Sequence, residues 1–119
     1  MLVIRDEQLA VLAEASRERF KTQVISHLRK HFPRLCEAMG PRAVRAVVDE
    51  GFERAFGYGI RLESDLCRFV ELMFVCGKRF DIELPWAAAI LNDVSQDPSL
   101  RLQMVCDQAR RQRAGGQAP

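Results

Sequence analysis

FERAFGYGIRLESDLCRFVELMF, residues 52–74, sets Gly57-Tyr58-Gly59 between two apolar runs. Upstream, Val44, Val47, Val48, Gly51, Phe52, Ala55 and Phe56 recur at steps of three and four, the spacing of one helix face. Gly51 lies in that stripe, where the missing side chain lets another helix come close at a small cost in helix propensity. Downstream, Leu66, Phe69, Val70, Met73 and Phe74 repeat the pattern until Gly77. A phosphate-cradling glycine loop would follow a strand and bring a lysine to the anion. Here a helix precedes the glycines and no lysine follows at a useful spacing. The triplet therefore reads as a helix stop, with Gly57 or Gly59 in the left-handed conformation and Ile60 folding back on the helix. Glu63 or Ser64 then opens the next helix, with Asp65 in its first turn.

Working outward, Leu9, Leu12, Ser16, Phe20, Val24, Leu28 and Phe32 give a long amphipathic helix over residues 6–31, capped by Asp6, bending near Ser16 and ended by Pro33. A short helical turn follows over residues 34–38, and Gly40-Pro41 resets the chain with proline at the first helical position. Residues 78–83 read as an extended connector. Pro85-Trp86 begins a short fourth helix with Ala89, Ile90 and Val94 inward. Asp97-Pro98-Ser99 caps a fifth, with Leu100, Met104, Val105 and Ala109 inward. No alternating strand pattern and no repeat interrupts these signals. The expected fold is all-α, a single compact bundle of about five helices with a long first helix. The helical domain spans residues 1–109 and a flexible tail follows over residues 110–119.

A chain of 119 residues suits one domain able to bury its own core. Net charge is +2, so no global field draws it to nucleic acid or an anionic membrane. MLVIRDEQLAVL breaks its apolar residues too early for a signal peptide, and no window nears the ~18 apolar residues of a membrane span. A cytoplasmic protein without membrane contact is expected. Cys36, Cys67, Cys76 and Cys106 form no C-x-x-C pair and read as reduced, mostly buried thiols.

Candidate chemistry is sparse. His27 and His31 share a helix face, but Leu28 stands where a catalytic H-E-x-x-H needs glutamate, and Arg29 and Lys30 discourage a cation. Glu63, Asp65, Glu71, Asp81 and Glu83 keep no acid–base spacing, and Ser16, Ser26, Ser64, Ser95 and Ser99 lack a nucleophile elbow. Neither a metal, a cofactor nor an enzymatic activity is expected. Arg17, Arg19, Lys21, Arg29, Lys30 and Arg34 make the first helix basic, although Glu14 and Glu18 partly neutralise it. Such a face suits phosphates, yet the second and third helices are too apolar for a recognition helix, so nucleic acid ranks below protein as a partner. Arg110, Arg111 and Arg113 suit a helix C-terminus or an acidic partner. Tyr58 and Trp86 stand at helix junctions, where such side chains anchor interfaces or lock loops onto a core.

Three runs of residues also carry a resemblance. They are Ile4-Arg5 with Gln8, then His27-Leu28-Arg29 with Phe32-Pro33, and a longer segment beginning at Tyr58-Gly59-Ile60. That segment continues through Glu63, Asp65, Phe69-Val70, Leu72-Met73 and Gly77 to Phe80-Asp81. Over most of residues 3–110 the chain resembles small helical proteins encoded beside type VI secretion effectors in proteobacteria. The resemblance implies a non-enzymatic co-adaptor or chaperone partner for effector loading, working with an effector adaptor chaperone, an effector or a spike protein. It brings no catalytic residue. The chain itself offers Arg29, Lys30, Arg34, Tyr58 and Trp86 as partner-binding candidates. The alternatives are an immunity or antitoxin-like protein that blocks a toxin, and a nucleic-acid-binding regulator.

Overall fold

Glycine and proline set the helix boundaries. The computed structural model describes the backbone of residues 2–117 and the side chains of residues 14–113. Seven helices occupy the described residues: α1 Leu2–His31, α2 Pro33–Met39, α3 Pro41–Gly57, α4 Glu63–Cys76, α5 Phe80–Glu83, α6 Pro85–Leu91 and α7 Pro98–Gln117. Proline takes the first position of α2, α3, α6 and α7, where its missing N–H leaves no helix bond unmade. No strand occurs among the described residues, and none of their helices is long and apolar enough to cross a membrane. The all-α expectation holds, with seven helices in place of about five.

The chain divides into two compact units, residues 1–48 and 49–119. In the first, α1 is continuous from Leu2, so Asp6 lies within the helix and is not its cap. Ser16 is exposed, Val24 and Leu28 are buried, and the side chains of Leu9 and Leu12 lie outside the described residues. The turn into α2 keeps helix-like bonds, with Phe32 N donating to Leu28 O at 2.7 Å and Cys36 N to Phe32 O at 3.0 Å. Cys36, Val44, Val47 and Val48 are buried as well. Glu18 on α1 pairs with Arg45 on α3 and lies 3.4 Å from Lys21.

In the second unit the opening stretch behaves as its glycines require. Gly59 sits at φ +87°, Ile60 N donates to Ala55 O at 3.0 Å, and Gly59 N donates to Phe56 O at 2.9 Å. These are the two bonds of a Schellman stop, and Ile60 and Ala55 are both buried, completing its apolar contact. Of the two glycines, Gly59 takes the left-handed role. Beyond it, Phe52, Phe69 and Phe80 are fully buried, each contributing about 1.5–3 kcal/mol by leaving water. The Phe69 ring lies 5.1 Å from Phe80 and 6.0 Å from Tyr58.

Three expectations about this unit need correction. Residues 80–83 form a helical turn, not an extended connector: Glu83 N donates to Arg79 O at 2.8 Å and Leu84 N to Phe80 O at 3.1 Å. On α6, Ala87 and Leu91 are buried while Ala89 is exposed, and Val94 lies past the helix end at 86% exposure. On α7, Val105 and Ala109 are buried as expected, but Leu100 and Met104 are exposed and Arg101 and Leu102 take the inner face. The apolar pattern alone rotated that face, because an arginine was not counted among inward residues.

Gly51 faces α4 so closely that an added Cβ would lie 2.7 Å from Met73 Sδ and 3.0 Å from Val70 Cγ2. Gly57 has nothing within 4 Å of the same position. Gly51→Leu should therefore lower stability in urea unfolding by about 1–3 kcal/mol through overpacking. Gly57→Ala should instead raise it by roughly 0.4–1 kcal/mol by restricting the unfolded chain.

Candidate functional site

Burying ionised groups is costly unless each finds charge-assisted bonds, so the buried polar residues identify where the second unit is cross-linked. Asp81 is 1% exposed at the start of the α5 turn. Arg54, from the last turns of α3, grips it in a two-point fork, Nε donating to Oδ2 at 3.1 Å and Nη2 to Oδ1 at 2.7 Å. Tyr58 O–H donates to the same Oδ2 at 2.8 Å. Arg54 also donates to Lys78 O at 2.6 Å and pairs with Glu50 one turn earlier on α3. Desolvation opposes the charge on Arg54, but Asp81 and Glu50 outweigh it and its pKa is raised.

A second cluster lies behind the same tyrosine. Arg101, 7% exposed, sends Nη2 to Tyr58 O at 3.0 Å, Nε to Gln96 O at 3.1 Å and Nη1 to Leu91 O. Tyr58 and Leu91 close α3 and α6, whose C-terminal carbonyls carry the partial negative charge that a cation satisfies. Asp65 is also buried and accepts from Ser99 O–H at 2.6 Å, tying the start of α4 to the start of α7. No buried side-chain polar atom among the described residues lacks a hydrogen-bond partner.

These groups coincide with the residues that carry the resemblance. Tyr58, Asp65 and Asp81 are the polar cross-links, Gly59 is the helix stop, and Ile60, Phe69, Val70, Leu72, Met73 and Phe80 are core. Within this chain the pattern specifies a scaffold. The sequence places Asp65 only in a first helical turn, leaves Asp81 without a role and passes over Arg54 and Arg101. A signal for Arg101 existed: a cation in the first turn of α7 opposes that helix's dipole, and so needs acceptors elsewhere.

The five partner-binding candidates fall in different places. Arg29, Lys30 and Arg34 are exposed in the first unit, around the end of α1 and the start of α2. Arg29 borders a shallow depression of about 390 Å³ with Pro33, Cys36 and Glu37. Tyr58 and Trp86 are half-buried in the second unit, and the Tyr58 hydroxyl is committed to Asp81.

The second unit also holds a groove of about 260 Å³ between α4 and α7. Leu72, Val75, Cys106 and Ala109 line it with apolar surface, while Arg68, Glu71, Arg110 and Arg113 supply charge. Arg68 Nη1 donates to Gln103 Oε1 at 2.8 Å, and Gln103 Nε2 donates to Asp107 Oδ1 at 3.0 Å. Burial pushes the Cys106 thiol up against the opposing pull of Arg68 and Arg110. Burial, aided by Glu71, raises Cys67 to about 11, so both thiols are poor nucleophiles at neutral pH.

Burial and then the Asp81 bond raise Tyr58 to about 12. Tyr58 is the sole tyrosine, so absorbance at 295 nm reports it alone, and the folded chain should titrate well above the ordinary value of 10. The unfolded chain ionises first. The phenol's contribution to stability is therefore whole below pH 10 and is lost as pH rises through about 12. Tyr58→Phe should remove that part of the alkaline loss, while Asp81→Asn should cost about 3 kcal/mol at pH 7 by taking the buried carboxylate out of the Arg54 fork and leaving Arg54 paired with Glu50. A Tyr58 midpoint at the ordinary value, or an Asp81→Asn protein as stable as the parent, contradicts the arrangement.

No family model, curated protein or solved structure matches this chain. The reading of its surface accordingly rests on its own residues and on the resemblance described above.

Proposed function

We propose that this chain is a non-enzymatic, protein-binding accessory factor of a type VI secretion system, acting as co-adaptor or chaperone partner in effector loading. The resemblance supplies the system. The observation that supports binding is where the charged groups stand: Arg54, Asp65, Asp81 and Arg101 are spent on cross-linking helices, while Arg29, Lys30 and Arg34 face solvent. Leu62, Ile82, Val94, Leu100 and Met104 are exposed apolar side chains that add contact surface. Helical surfaces displaying cations or apolar groups recognise another protein through desolvated anchors and complementary charge.

In cells that carry the gene, the tagged full chain should recover an effector adaptor chaperone, an effector or a spike protein in fixed stoichiometry. Its deletion should reduce secretion of that effector without harming the producing cell. Recovery of a toxin alone, with deletion killing the producer, would replace this reading by an immunity role. Arg29→Glu with Lys30→Glu should weaken capture without shifting the unfolding midpoint; unchanged capture removes the basic end of α1 from the contact. Trp86→Ala should reduce affinity more than stability if Trp86 anchors the partner, and the reverse ranking makes it a core residue.

A further inference from the structure

We propose that the α4–α7 groove docks an acidic, amphipathic segment of a partner protein. This names the chemistry of a binding site within the protein-binding reading above, and rests on that reading only for the class of ligand.

The periodicity of the lining defines the occupant. On α4, Arg68, Leu72 and Val75 stand at steps of four and three, and on α7 Cys106, Ala109 and Arg113 repeat that geometry. Leu72 and Val75 on α4 and Cys106 and Ala109 on α7 thus form an apolar floor about one turn long, with Arg68 and Arg113 beside it. Three guanidinium groups line it against the Glu71 carboxylate, and Asp107 beside the groove lies 3.4 Å from Arg110, so the local balance stays positive by one charge.

That pairing of surfaces discriminates among ligands. A free phosphate would engage the arginines and leave Val75 wet. A nucleic acid strand would meet Glu71 and would have no aromatic face in this lining on which to stack bases. A purely apolar helix would cover the floor while stripping water from three cations without return. A segment with apolar residues on one stripe and carboxylates beside it satisfies floor and rim together. Val75, at 36% exposure, is the part of the floor such a segment would cover.

The probe is a fluorescein-labelled peptide of about 14 residues, long enough for helix formation, carrying a leucine stripe flanked by glutamates. Its counterpart has lysine at each glutamate. Fluorescence polarisation with the full-length protein should show the acidic peptide binding at least ~10-fold more tightly than the basic one, with affinity falling as salt rises. Arg68→Glu with Arg110→Glu should abolish or invert that preference, and Val75→Asn, which removes apolar contact without adding charge, should weaken binding of the acidic peptide. Both arginines are exposed, so circular dichroism should show the helices retained.

Equal affinity for the two peptides, no binding of the acidic one at about 1 mM, or indifference to the double reversal overturns the proposal. So does competition by random duplex DNA through the groove, or a dimer in sedimentation that the double reversal dissolves. The two readings fail separately. A secretion partner captured equally by parent and Arg68→Glu/Arg110→Glu protein defeats the groove but not the accessory role. Groove binding of the acidic peptide with no secretion partner in cells does the opposite.

Discussion

The Arg101 guanidinium is the joint on which the second unit depends. Its hydrogen bonds reach three main-chain carbonyls, at the end of α3, at the end of α6 and in the segment leading to α7. Helix C-termini leave carbonyls unpaired and partially negative, and a buried cation answers both deficits together. Tyr58 extends the joint. Its carbonyl accepts from Arg101 while its hydroxyl donates to Asp81, and Asp81 is held in turn by Arg54. One residue past the end of α3 thereby couples that helix to the α5 turn and to α7.

This wiring explains why the most patterned part of the sequence does not supply a reactive site. The chain ties down its inter-helix segments with side chain-to-carbonyl and carboxylate bonds, and its ionisable interior is consumed by that work. What is left for recognition lies outside the wiring. In the first unit it is the basic end of α1, where Arg29 and Lys30 also suit the helix dipole. In the second it is the arginine-edged groove and the exposed outer side chains of α7.

Local chemistry made much of this readable. Pro33, Pro41, Pro85 and Pro98 each opened a helix, and Gly59 and Gly77 each followed one at positive φ. The start of α3, the stop after it and the core of α4 came from rules that need only neighbouring residues. The misses were tertiary. Phe80–Glu83 is too short to show a period, and its turn is held by Arg54 from far along the chain. The inner face of α7 was misjudged because Arg101 is buried for its donors, and hydropathy assigns arginine to solvent. The groove was illegible because it arises from pairing two helices, which no single periodicity reports. Of the binding candidates, the three cations were identifiable as exposed on a basic helix end, whereas the inward commitment of the Tyr58 hydroxyl required Asp81 to be placed beside it.

The most direct test of the joint is urea unfolding of Arg101→Lys, followed by hydrogen exchange of the amides at Tyr58, Asn92 and Gln96. Lysine keeps the charge but lacks the planar fork that reaches three carbonyls together. The substitution should cost about 1–3 kcal/mol and speed exchange at those segments, while the helical signal persists. An unchanged midpoint with unchanged exchange would show that the guanidinium bonds do not hold these segments, and the Arg101–Tyr58–Asp81 linkage would not be what fixes the second unit.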